Sequence, residues 1–485
     1  MTLLLVTILL LALLLAGIPV GFSMGIAGAV GLWLYGGDQA LLGILSTSPY
    51  RQSASWLLVL LPMFVLMAEF MVNSGMARRL FDAAYQWFSW IPGNLAVATV
   101  LSSAVFGAVS GSSAAATATM GKTAIPEMKR YGYDNRLALG VVATAGGLAI
   151  LIPPSVVLIV YGILTEVSIG QLFLAGVIPG ILTAAVYVLV VVLWAKTNPA
   201  VVGKAKPTAL GGSVPAAVGG SVPAAAGGAE PAVVTGTDGG AVPLGGHSVT
   251  TAGESSEGAG DLKPANLEVT WASRWASLVW VGPVLLLFIL VMGGIYSGLV
   301  TITESSALGA GGALLIAIVS RTMDVKSFIG ALTSTVKTTA MIFAIVIGAH
   351  IFGYYLTFTR TTVSVVTWIA DLDVPRWTIL AIFIVMYLLL GCVMDQLAIL
   401  VLTVPLVFPV IMALDYSPVW FGIIMVKTVE IGLATPPMGM NVFIGSSVSG
   451  ISLGEGFRGV GRFVAADLVV LLALAAFPDI SLWLV

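Results

Sequence analysis

A single cysteine, Cys392, and two histidines, His247 and His350, are all the thiol and imidazole in 485 residues. One thiol excludes an internal disulfide, and two distant histidines do not build a zinc centre. Charge is scarce too: Asp, Glu, Lys and Arg make up 9%, against about 25% in soluble domains. The 20 basic and 22 acidic residues nearly cancel, so there is no basic stripe and no nucleic-acid partner is expected. No Gly-x-x-x-x-Gly-Lys-Ser/Thr loop occurs, which removes the usual phosphate cradle for ATP. No organic cofactor is indicated.

What the chain has is apolar sequence, 59% of its residues. That composition reads as an all-α polytopic membrane protein whose main solvent is the lipid bilayer. Apolar spans run at about 2–20, 21–36, 55–75, 135–165 and 170–195, then 276–296, 299–319, 327–357, 417–447 and 463–483. The first could pass for a signal peptide, but it lacks a basic start and continues into more apolar sequence, so it reads as a membrane helix. Leu80–Trp90, rich in aromatics behind Arg78 and Arg79, suits a helix in the interface. Pro92 to Pro126 is 34 residues, whereas two crossings need about 40. A re-entrant hairpin with its tip at Ser110–Ser113 fits better, and Pro375–Pro409 reads the same way. The expected total is about eleven spans and two hairpins.

Residues 197–270 differ. Ala, Gly, Pro, Val and Ser dominate, and Gly211–Ala217 recurs as Gly219–Ala225. Such a segment is expected to be a disordered linker between repeat 1 (1–196) and repeat 2 (271–485).

An internal repeat supports that division. At an offset of 283, Pro92, Pro126, Pro153 and Pro154 fall on Pro375, Pro409, Pro436 and Pro437. Chance gives about half a proline pair at one offset. In each repeat the first spans (1–90, 276–357) read as scaffold. The hairpin and broken helix (92–165, 375–447) read as a transport unit. Lys/Arg bias adds orientation: Arg78, Arg79, Lys129, Arg130, Lys196, Arg321, Lys326, Arg458 and Arg462 are all cytoplasmic if the N-terminus is outside. The linker is then cytoplasmic, and the repeats, each of about five spans plus a hairpin, are inverted.

Interrupted helices at matching positions of two halves point to a transporter's substrate site. The Gly/Ser tip Ser110–Gly111–Ser112–Ser113 and the Ile152–Pro153–Pro154–Ser155 break supply carbonyl and hydroxyl oxygens. Asp395, Gln396, Gly432, Thr435, Pro436 and Met438 do so in the second half. Half-helix N-termini suit anions and C-terminal carbonyls suit Na⁺. The tip serines also fit plain small-residue helix packing. Asp395, at the position of Ser112 in the repeat, is the sharpest candidate. A charge in the membrane costs about 3 kcal/mol and implies a function, unless it pairs structurally with Lys427. Glu304 and the Lys427/Glu430 pair at i,i+3 read as structural, and Glu127 and Asp134 at a hairpin base as solvated. No Ser–His or paired-Asp arrangement stands at the tips, so no enzyme is expected.

The motifs Ser110–Ala114, Ile125-Pro-x-Met-x-x-x-Gly-Tyr133, Ile152–Ser155, Thr301–Glu304 and Thr435-Pro-Pro-Met-Gly-Met-Asn441 resemble the large membrane subunit of TRAP (tripartite ATP-independent periplasmic) transporters. The resemblance spans nearly the whole chain except 197–270, whose length departs from the family's short connection. It implies a Na⁺-driven, elevator-type importer of small organic acids in a bacterial or archaeal inner membrane. It also implies two partners, a small four-helix membrane subunit and a periplasmic solute-binding protein. By the same resemblance Ser110, Ser155 and Asp395 face the substrate, and the tip and Pro-Pro carbonyls hold sodium. A stand-alone Na⁺/dicarboxylate symporter of this architecture, or a channel, are the competing readings.

Overall fold

The structure, a computed structural model, describes residues 2–203, 271–372 and 374–485. Most of the linker (204–270) and Asp373 lie outside the described residues. Every regular element among the described residues is helical. The first half contains α1 (Thr2–Leu15), α2 (Val20–Leu45), α3 (Ser48–Ser53), α4 (Leu60–Asn73), α5 (Met76–Phe88), α6 (Asn94–Ser110), α7 (Ser113–Arg130), α8 (Asn135–Ala145), α9 (Leu148–Leu151), α10 (Val156–Thr165) and α11 (Ile169–Thr197). The second contains α12 (Trp271–Tyr296), α13 (Ile302–Val319), α14 (Val325–Phe358), α15 (Thr361–Ala370), α16 (Arg376–Gly391), α17 (Gln396–Ala413), α18 (Pro418–Ala434), α19 (Met440–Ser449), α20 (Leu453–Ala476) and α21 (Asp479–Leu482). Among the described residues eight helical segments are long and apolar enough to cross a membrane, nine if the bent α12 counts as one span. Shorter apolar helices, among them α1, α6 and α16, accompany them.

The helices end where local chemistry stops them. Asp134 caps α8, accepting from Arg136 N at 2.7 Å, and Asp324 caps α14, accepting from Ser327 N at 2.8 Å. Glu304 completes a capping box on α13: Thr301 N donates to its carboxylate at 2.8 Å, and Glu304 N donates to Thr301 Oγ1 at 3.2 Å. Its structural reading therefore holds. Glu127 and Asp134, read as solvated, do lie on the solvent side and also serve structure there. Glu127 pairs with Arg78 at 2.8 Å, tying α5 to α7, and Asp134 is a cap.

The element order recurs. Shifted by 283 positions, α7 coincides with α17, α10 falls within one residue of α19, and α6 within two of α16. The packing is reciprocal: α2 lies along α14 while α13 lies along α4. Likewise α7 packs on α19 and α17 on α10, so each hairpin grips the other half's broken helix. Large apolar side chains cover the outside, with Leu15 88% and Leu299 84% exposed. Such a surface is stable in hydrocarbon and not in water. The amphipathic α5, expected at the interface, has a second-half counterpart in α15, which lies between the expected span 327–357 and the hairpin at Pro375, where no element was expected.

Candidate transport site

In the first half α6 stops at Ser110 and α7 starts at Ser113. The turn between them needs Gly111, whose φ of 59° disfavours any side chain. Ser112 caps α7, its Oγ accepting from Ala115 N at 3.3 Å. Ser110 is buried, its Oγ donating to Gly107 O at 3.4 Å. A Cβ on Gly111 would stand 2.9 Å from Pro154 O, so the tip rests on the Pro-Pro break. That break is extended at Ile152 and cis between Pro153 and Pro154. Ser155 closes it. Its Oγ donates to Ile150 O at 2.6 Å and accepts from Leu158 N at 3.4 Å, so one hydroxyl joins α9 to the start of α10.

The second half repeats the plan with different side chains. Asp395, at Ser112's place, caps α17: Oδ2 accepts from Leu397 N at 3.0 Å. Gln396 follows, and its Oε1 is buried with no hydrogen-bond partner among the described residues. At the break Thr435 is extended, its Oγ1 donating to Ile431 O at 2.6 Å and its N donating to Gly432 O at 2.9 Å. Pro436–Pro437 is again cis. Met438 N donates to Cys392 O at 3.3 Å, binding this break to this tip. Gly432 is a close-approach point: a Cβ on Gly391 would stand 2.9 Å from its Cα.

One residue joins the halves here, and sequence reasoning did not single it out. Asn441 Oδ1 accepts from Ser113 Oγ at 2.9 Å, and its Nδ2 donates to Ala143 O at 3.1 Å. The first tip, the first broken helix and the second break thus meet at one amide. Thr117, also missed, is buried beside Gly146, and its Oγ1 has no hydrogen-bond partner among the described residues. Asn441 was visible inside a motif; nothing in the sequence marked Thr117.

The suggested pairing of Asp395 with Lys427 is not what the structure contains. Lys427, 0% exposed, lies 2.6 Å from Asp467 Oδ1 and 3.1 Å from Glu430 Oε2. Tyr187 donates to Asp467 Oδ2 at 2.5 Å and reaches Glu430 Oε1 at 3.5 Å. The i,i+3 pair is real, and the partner that completes it comes from α20. An acid inside the apolar run of α20 was the available signal.

Against known proteins the chain is similar to transporters throughout. The family described as "Tripartite ATP-independent periplasmic transporter, DctM component" matches residues 7–480. The C4-dicarboxylate TRAP transporter large permease protein DctM of Pseudomonas aeruginosa is 32% identical, over 95% of this chain and 93% of that one. The isethionate TRAP transporter permease protein DctMQ of Oleidesulfovibrio alaskensis is 27% identical over 97% of this chain and 64% of its own greater length. In fold, the crystal structure of the Alcanivorax borkumensis YdaH transporter, described as having an unusual topology, matches 92% of this chain and 89% of that one. Its TM-score is 0.53 at 15% identity. With capped hairpin tips seated on Pro-Pro breaks and a family match from residue 7 to residue 480, the chain belongs to the large membrane permease subunits of TRAP transporters.

Proposed function

We propose that this subunit is the translocating component of a Na⁺-coupled importer of a small organic anion. The observation that carries the reading is the meeting of both halves at Ser113, Asn441 and Ala143, beside the first Pro-Pro break. Four helices, α7, α10, α17 and α19, begin at the tips and breaks. Each start leaves unpaired N–H groups and roughly half a positive charge, which favours carboxylate or sulfonate groups. The relatives' names span both chemistries, C4-dicarboxylate and isethionate.

Sodium fits the donor set. The residues offered are oxygen donors: Ser110, Gly111, Ser112, Ser113 and Pro153 in the first half, and Asp395, Gln396, Gly432, Thr435, Pro436 and Met438 in the second. Thr117 Oγ1 and Gln396 Oε1 are buried in the same hairpins with no hydrogen-bond partner among the described residues. Asp395 places a negative charge at a helix start that otherwise attracts anions. A cation bound there removes the repulsion, which makes sodium binding a condition for substrate binding. Ser110, Ser155 and Asp395 are the substrate-facing residues on this reading. The hairpins and broken helices move as a unit against α2, α4, α13 and α14, an elevator motion, with the N-terminus outside and the 197–270 linker cytoplasmic.

A periplasmic binding protein and a small membrane subunit complete the system, as the family's tripartite description implies. The test is uptake of labelled C4-dicarboxylates and small sulfonates into proteoliposomes holding both membrane subunits, with the binding protein outside. Uptake should need an inward sodium gradient and no ATP. Undiminished uptake after the gradient is collapsed would sink sodium coupling, and uptake without the binding protein would favour a stand-alone symporter.

A further inference from the structure

The buried Lys427–Glu430–Asp467–Tyr187 cluster has no role in the mechanism above, and its position in the repeat suggests one. Under the 283-residue offset Lys427 corresponds to Thr144, Glu430 to Gly147 and Asp467 to Ala184. The three charged residues therefore belong to the second half alone, and Tyr187 reaches them from α11 of the first. Yet Glu430 packs against its own counterpart. A Cβ built on Gly147 would lie 2.8 Å from Glu430 Cγ and 3.1 Å from Glu430 Oε1. A residue touches its own repeat mate only where the axis relating the halves passes. The second half's carboxylate thus fills the space that the first half's glycine leaves open.

Gly147 is not a passive neighbour. It immediately precedes α9, the single turn that ends at Leu151, one residue before the Ile152–Pro153–Pro154 break. Ile150 O accepts from Ser155 Oγ at 2.6 Å, so the position of that turn sets the cap of α10. On the other side Gly146 is closed off by Thr117 of the first hairpin. The Gly146–Gly147 pair is held between a hydroxyl of the hairpin and a carboxylate of the other half.

We propose that Glu430 is a positioning residue for the first helix break, and that through Gly147 and α9 it sets the geometry of the ion site at the first tip. Lys427 and Asp467 hold the carboxylate in place: Lys427 fixes Oε2, and Tyr187, anchored on Asp467, reaches Oε1. A small-residue contact that served packing alone would not need a carboxyl side chain from α18 held in place by groups from α18, α11 and α20.

The proposal rests on the sodium-coupled reading, and its test separates the two. The measurement is thermal unfolding of the purified permease, complexed with its small membrane subunit, across sodium concentrations at constant ionic strength with potassium as balance. A ligand that binds only the folded state raises the midpoint, and the concentration dependence gives the half-saturation. Gly147→Ala should raise the sodium half-saturation about three- to tenfold, within the range of couplings carried through packed networks. Glu430→Ala should raise it similarly by leaving a void. The double variant should return toward wild type, because the new methyl group occupies part of the space vacated. Glu430→Gln, which keeps shape and hydrogen bonding, should stay close to wild type.

If the wild-type protein shows no sodium-specific stabilisation, the sodium reading itself fails. If it does, and Gly147→Ala leaves the half-saturation unchanged, the positioning role is overturned. Should Gly147→Ala not fold, Glu430→Ala decides alone: an unchanged half-saturation rejects the proposal. Additive single effects in the double variant also reject it, since sites that do not touch add.

Discussion

Asp395 and Lys427 separate once their partners are known. Asp395 is a helix cap at a hairpin tip, and Lys427 is enclosed by Glu430 and Asp467. Asp395→Asn keeps a competent cap, so the protein should insert and unfold normally while uptake is lost. Adding Lys427→Met should restore nothing, because that lysine never faced Asp395. Recovery in the double variant, measured as uptake per inserted permease, would return Asp395 to the scaffold. Lys427→Met alone leaves two carboxylates buried together without their cation. Breaking such a pair costs about 3–5 kcal/mol, and should appear as a lower midpoint and poor extraction. Lys427 and Glu430 were legible from spacing because one helix turn separates them. Asp467 was not, since it lies 40 residues further on and only tertiary packing brings α20 beside α18.

The hairpins and the broken helices were readable because proline and glycine act locally: each bars or permits a backbone angle whatever surrounds it. Hence α7 and α17 start where the tips at Ser110–Ser113 and Asp395 placed them. Contacts between elements were less readable. Gly391 is an unremarked glycine in an apolar run and Gly432 reads from sequence only as an oxygen donor, yet together they let α16 and α18 approach to backbone contact. Gly391→Ala puts a methyl group 2.9 Å from Gly432 Cα and 3.1 Å from Val429 O. Neither obstacle is a side chain that can swing away, so α16 must shift as a body. Overpacking of this kind costs about 1–3 kcal/mol. The expected result is a lower unfolding midpoint and weaker uptake, against no change for a methyl group added at Gly43, which meets nothing within 4 Å.

Taken whole, the molecule shows one arrangement built twice, with the linker left over. Its composition marked residues 197–270 as a connection before any helix was placed, and most of it falls outside the described residues. Replacing residues 204–270 by a flexible Gly/Ser coil of similar length should leave uptake intact. A well-inserted but inactive variant would mean that the segment does more than join. The repeat itself was legible from four proline pairs, whereas the departures from it were not, because an offset aligns positions without saying which ones touch. The contact of Gly147 with Glu430 bears on lineage. An ancestor with identical halves could have assembled as two copies of one gene product. Here two first halves would set glycine against glycine and leave a hole, and two second halves would drive like-charged carboxylates into each other. Neither half can now stand in for the other, so the single chain can no longer be split into interchangeable parts.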